Sequence, residues 1–131
     1  MREIGADKVA ETISALLQEG CYRLSDDVVN LLKLAYEKEE SPPARHALGK
    51  LLENAEVAAR DEVPLCQDTG MAVVFLELGQ DVHIIGGDLY EAIQEGTRRA
   101  YTQGYLRKSV VDRPFSARIN TKDNTPAVIH T

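Results

Sequence analysis

Four chemically capable side chains stand in a row in the stretch Val63-Pro64-Leu65-Cys66-Gln67-Asp68-Thr69-Gly70. A thiol, a carboxamide, a carboxylate and a hydroxyl lie between a proline and a glycine. Helical sequence precedes them, and an apolar, strand-like run follows. A cysteine acts as a ligand or nucleophile through its thiolate. Cys66 has no histidine nearby in sequence to serve as its base, and no second cysteine at metal-ligand spacing. Spacing alone therefore leaves Cys66 an isolated thiol. Two readings of the loop stay open: an anion-binding site completed by arginines further along, or a structural turn capped by Asp68 and Thr69.

The arginines come from a lopsided charge distribution. The net charge is −6 over 131 residues. Residues 1–97 hold 8 Lys/Arg and 19 Asp/Glu, giving −11, whereas residues 98–131 hold 7 Lys/Arg and 2 Asp/Glu, giving +5. The basic positions, among them Arg98, Arg99, Arg107 and Arg113, are scattered over a helix and a loop with few aromatic residues between them. That pattern suits a small anionic ligand held by one or two arginines and argues against nucleic acid. No window is apolar enough to span a bilayer, and the N-terminus lacks a signal core, so the expected location is the cytoplasm. Cys21 and Cys66 are too few for a disulfide scaffold and are expected as thiols.

The elements that must position the loop read in order. Val9, Ile13, Leu16 and Leu17 predict a helix over 8–19, capped by Asp7 and ended by Gly20. Ser25-Asp26-Asp27 opens a second helix, with Ser25 expected to accept a first-turn amide. A third spans about 44–60, with Leu48, Leu51, Leu52, Ala55 and Ala59 on one face and His46 at the surface. Residues 71–78 are nearly all apolar, as in a strand buried on both faces or in an interface. Val82–Ile85 reads as its tightly connected partner strand, with His83 facing solvent. Gly86-Gly87-Asp88 lacks the lysine and spacing of a phosphate loop, so Asp88 is the N-cap of a helix over 89–103, ended by Gly104. Residues 120–126 are a dense set of turn formers before the apolar Ala127–Thr131. The expected fold class is α+β: three N-terminal helices, then a mixed or antiparallel sheet with one inserted helix. Residues 1–131 are expected to form one domain, a helical lead over 1–62 and a loop-and-sheet region over 63–131.

Pro64-Leu65-Cys66-Gln67-Asp68-Thr69-Gly70 closely resembles the signature of the iron–sulfur hydro-lyases of the class I fumarase and L-tartrate dehydratase family. The resemblance continues through Tyr101-Thr102-Gln103-Gly104-Tyr105-Leu106-Arg107 to Asn120-Thr121-Lys122-Asp123-Asn124-Thr125-Pro126 and covers essentially the whole chain. The short lead before the first helix looks like that of an α subunit. The resemblance implies a [4Fe–4S] cluster held by three cysteine thiolates, with its fourth iron open as a Lewis acid. Cys66 matches one of those ligands. Gln67 and Asp68 match substrate-contacting residues, Asp68 being the implied proton-handling carboxylate. Arg107 matches an arginine that clamps a substrate carboxylate. The implied reaction is reversible hydration of a small dicarboxylate, with fumarate and malate the leading pair and tartrate the alternative.

The departure from the family pattern is in the ligands: two further cluster cysteines are required, and besides Cys66 this sequence has only Cys21, which lies in the helical lead and matches no family ligand. Two further thiolates are expected from a β subunit or from a remaining C-terminal part of the α subunit, in an oligomer. The chain alone is accordingly expected to be inactive, as an N-terminal fragment. The competing readings are a non-catalytic assembly domain using strands 71–78 and 127–131 as interfaces, and a thiol-based redox protein. Intact Gln67, Asp68 and Arg107 favour the enzyme, since a scaffold needs none of them.

Overall fold

Residues 2–66 and 70–131 are described by a computed structural model of the chain. It divides into two compact units, Met1–Gln18 with Asp68–Thr131, and Glu19–Gln67. Four helices and three two-stranded ladders make it α+β, as the sequence predicts.

The first unit begins with β1 (Arg2–Gly5), which leads into α1 (Ala6–Tyr22). The helix runs through Gly20: with the chain continuing helical to Tyr22, that glycine costs propensity without ending the element. The buried stripe of α1 is not the expected row of large side chains but Ala6, Ala10 and Ser14. The reason lies in α4 (Leu89–Gln103), whose Gly96 meets α1 so closely that an added Cβ would stand 2.5 Å from the Ala10 carbonyl oxygen. Small residues on α1 and a glycine on α4 let the two backbones approach. Val9, Ile13, Leu16 and Leu17 instead line an apolar groove shared with residues 73–76.

α4 follows its sequence reading. The Asp88 carboxylate accepts the Glu91 amide at 3.0 Å, satisfying one of the orphan first-turn donors. Ile93, Ala100 and Tyr101 are buried, and Gly104 caps the end.

The strand pairings depart from expectation. β3 (Val82–Ile85) does not pair with β2 (Val73–Phe75). β3 runs parallel to β1, Arg2 opposite Val82 and Gly5 opposite Ile85. β2 runs parallel to β6 (Val128–His130), Val73 opposite Val128. The short link between β2 and β3 suggested a hairpin, yet each strand takes a partner distant in sequence, which long crossovers make available. Nor is the 71–78 run buried on both faces within this chain: Ala72 is buried, whereas Phe75 is 80% exposed. His83 is exposed, as expected. An antiparallel pair, β4 (Val111–Asp112) with β5 (Ile119–Asn120), completes the described ladders.

In the second unit, α2 (Asp26–Lys38) packs on α3 (Pro42–Asp61). Pro42 and Pro43 occupy the first turn of α3, where a missing amide hydrogen costs nothing. Ser25 precedes α2 without capping it; its hydroxyl hydrogen-bonds the Asp27 carboxylate, which holds that carboxyl below the ordinary range. Ala55, Ala58 and Leu65 form the core of this unit, with Leu24 against them.

Candidate functional site

Cys66 owes its position to the residue before it and to one side chain of α3. Leu65 is buried against Ala55 and Ala58, and its amide donates to the Cys21 carbonyl at 2.9 Å. The Cys66 amide donates to the Asn54 carboxamide oxygen at 3.0 Å. An apolar anchor and a polar tether thus fix the backbone, while the Cys66 side chain remains exposed as a free thiol. Cys21 is half-buried in the last turn of α1, and burial pushes its thiol pKa up. Of the two thiols, Cys66 is the more accessible. Among the described residues, no group of three or more His, Cys, Asp or Glu side chains converges to hold a metal ion.

Gln67 and Asp68 lie outside the described residues. The chain is described again at Gly70, whose φ of +58° is the left-handed conformation that glycine adopts without strain. Its carbonyl accepts two hydrogen bonds, from the Asn124 carboxamide nitrogen at 2.8 Å and the Tyr101 hydroxyl at 3.3 Å.

Asn124 is fully buried and makes three bonds. Besides donating to Gly70, its carboxamide oxygen accepts the Ser109 amide at 2.6 Å and the Val110 amide at 2.9 Å. Those amides lie two and three residues past Arg107. The loop over 120–124 grips the same segment through further bonds. The Asn120 carboxamide donates to the Lys108 carbonyl at 2.9 Å, and the Thr121 amide donates to the Val110 carbonyl at 3.0 Å. Leu106, buried, anchors the other side of Arg107, which is itself exposed. The turn cluster thus holds the backbone behind an arginine presented to solvent.

The other arginines divide by partner. Arg98 bridges Glu95 and Asp123, the latter at 3.0 Å, and Arg99 bonds Glu95 at 2.7 Å. The Arg98–Asp123 pair ties α4 to the 120–124 loop, whereas both pairs with Glu95 lie within α4. Burial acts to raise the Asp123 carboxyl, but the Thr125 amide and hydroxyl and the Arg98 guanidinium outweigh it and hold it below the ordinary value. The Arg99 and Arg98 side chains likewise hold Glu95 low.

Three positioning side chains escape a reading of the sequence by motif and periodicity. Asn54 sits mid-helix, where asparagine is a poor helix former, and that misfit was the available signal. Gln94 spans the Ala127 backbone, accepting its amide at 2.8 Å and donating to its carbonyl at 3.3 Å. Asn124 carried no separate signal, since turn formers surround it.

Comparison with known proteins identifies the family. The profile of the family described as "Fumarate hydratase (Fumerase)" matches residues 10–131, and the chain belongs to that family. It is 36% identical over 105 residues to a Methanocaldococcus jannaschii protein named "Putative L(+)-tartrate dehydratase subunit alpha", covering 79% of this chain and 37% of that one. It is 33% identical over 97 residues to the class I anaerobic fumarate hydratase of Escherichia coli K12, covering 73% of this chain and 18% of that one. The L(+)-tartrate dehydratase subunit alpha of the same strain is 25% identical over 124 residues, 95% of this chain and 40% of the relative. The chain spans less than half the length of these relatives. No described helix is long and apolar enough to cross a membrane.

Proposed function

We propose that this chain contributes one cluster thiolate and part of the dicarboxylate site of a hydro-lyase that reversibly hydrates a small dicarboxylic acid. The observation that supports it most is the brace on residues 107–110: Asn120, Thr121 and Asn124 hold the backbone behind Arg107, and Asn124 also holds Gly70, directly after Gln67-Asp68-Thr69. Rigid presentation of a forked cation is what carboxylate binding demands. The family match and the relatives named as hydratase and dehydratase supply the reaction class.

In this reading Cys66 is a ligand of a [4Fe–4S] cluster, whose other thiolates come from outside these residues or from another chain, consistent with relatives named as α subunits. When bound, such a cluster supplies a Lewis-acidic iron for hydroxyl and carboxylate oxygens. Arg107 pairs with a substrate carboxylate through two parallel N–H donors. The Gln67 carboxamide orients the substrate by hydrogen bonding. Asp68, as carboxylate, takes the proton from the carbon next to the one that loses hydroxyl, and returns it in the hydration direction.

Fumarate and malate are the leading substrates. Tartrate is the second reading, favoured by the higher identity and wider coverage of the tartrate dehydratase relative from M. jannaschii. The test is iron content and hydratase activity of the assembled enzyme carrying Cys66→Ser, with both acids supplied. We expect loss of iron and of turnover; unchanged iron and rate would remove Cys66 from the ligand set.

A further inference from the structure

We propose that Asn124 is a positioning residue for the dicarboxylate site, its carboxamide setting the Gly70 end of the polar loop in register with the Arg107 segment. The proposal rests on the reading of Asp68 and Arg107 given above and adds to it a residue that touches neither substrate nor metal.

The geometry points to this division of labour. The two ends of one buried carboxamide do separate jobs. The oxygen collects the amides of Ser109 and Val110, at 2.6 and 2.9 Å, and so fixes the backbone that carries Arg107. The nitrogen donates to the Gly70 carbonyl at 2.8 Å, and so fixes the backbone that follows Asp68-Thr69. The sequence separations are 14 to 15 residues on one side and 54 on the other, so no local turn couples the two segments. A residue whose only task was to close its own turn would not reach both. Only a primary amide has a twofold acceptor and a donor on one rigid plane. A backbone φ of +63° adds a further restriction, since asparagine tolerates the left-handed region and most residues do not. Full burial keeps water from substituting for any of the three bonds.

The same features supply two clean probes. Asn124→Gly keeps the left-handed backbone and removes all three bonds. Asn124→Asp keeps an acceptor for the Ser109 and Val110 amides but replaces the donor facing Gly70 with a carboxylate oxygen, which repels the carbonyl. Arg107→Gln serves as the reference, and the double variant Asn124→Gly/Arg107→Gln closes a cycle.

The experiment uses the assembled enzyme, reconstituted anaerobically, with fumarate and tartrate as probes. Hydrogen exchange over peptides containing Ser109 and Val110 is followed alongside KM and kcat. For Asn124→Gly we expect faster exchange at those amides, KM raised at least about tenfold, and kcat/KM lowered by about 100-fold, the scale of a 1 Å misplacement. Asn124→Asp should instead lower kcat with the smaller change in KM, because only the Gly70 side is released. The double variant should fall short of the product of the single effects, as coupled residues do. A merely structural role would lower the yield of active enzyme while leaving KM and the exchange at 109–110 unchanged, and that result overturns the proposal. So does a double variant whose effects multiply. Should Asn124→Gly fail to accumulate, Asn124→Asp decides on kcat: a lowered kcat with exchange at 109–110 kept supports the proposal, and an unchanged kcat overturns it. If Arg107→Gln raises KM while the Asn124 variants leave KM and kcat as they were, the positioning role alone fails. If Arg107→Gln leaves KM unchanged, the site reading fails with it.

Discussion

At the scale of single residues, the chain's two thiols have opposite fates. Cys66 is exposed on a tethered backbone, whereas Cys21 is half-buried and burial raises its pKa, which lowers its thiolate fraction. Iodoacetamide at neutral pH should therefore modify Cys66 first and Cys21 slowly. Peptide mass spectrometry over time checks this, and equal rates would contradict the burial of Cys21. Asp123 makes a second residue-scale prediction. Its folded-state pKa is depressed, so the unfolded chain takes up the proton more readily. The stabilisation is present above the ordinary carboxylate value of about 3.9 and is lost as pH falls through the lower folded value. Asp123→Asn should flatten the acid limb of stability, measured by urea unfolding across pH 2–6.

At the scale of elements, the informative contact is α4 against α1. Alanine is a better helix former than glycine by about 1 kcal/mol, so Gly96→Ala would stabilise an isolated α4. In the folded chain the new methyl would lie 2.5 Å from the Ala10 carbonyl oxygen and 2.8 Å from the Ile13 Cβ. Backbone cannot yield as a flexible side chain does, and overpacking of this kind costs about 1–3 kcal/mol. The packing term should win, and urea denaturation of the full chain should show net destabilisation. α4 also shows what local sequence encodes. Asp88, Ile93, Tyr101 and Gly104 act as their positions predict, because capping and amphipathic spacing are decided within one element. Ser25 shows the opposite case: it has the right type and place for a cap, yet its hydroxyl bonds Asp27 instead.

At the scale of the whole molecule, the chain offers one exposed thiol and one half-buried one, and its described residues form no convergent metal-ligand group. A three-thiolate cluster cannot be completed from two cysteines. Reconstitution of the isolated chain with iron and sulfide should accordingly yield no stoichiometric four-iron spectrum and no hydratase activity. A full cluster on this chain alone would refute that expectation.

The sequence by itself determined the family, through Pro64–Gly70 and the blocks ending at Arg107 and Pro126, and the α+β class, through helical spacing and caps. Such features are local: a cap, a periodic face or a contiguous motif is complete within a few residues. The strand partners were decided only by the tertiary structure, because β1 with β3 and β2 with β6 pair across long crossovers that no short-range pattern specifies. The role of Asn124 was decided there too. In sequence it is one turn former among several, and only the fold brings Gly70 and the amides after Arg107 within reach of one buried carboxamide. Hydrogen bonds over 54 residues leave no periodic trace, since the spacing between partners is set by intervening elements and not by the pair itself.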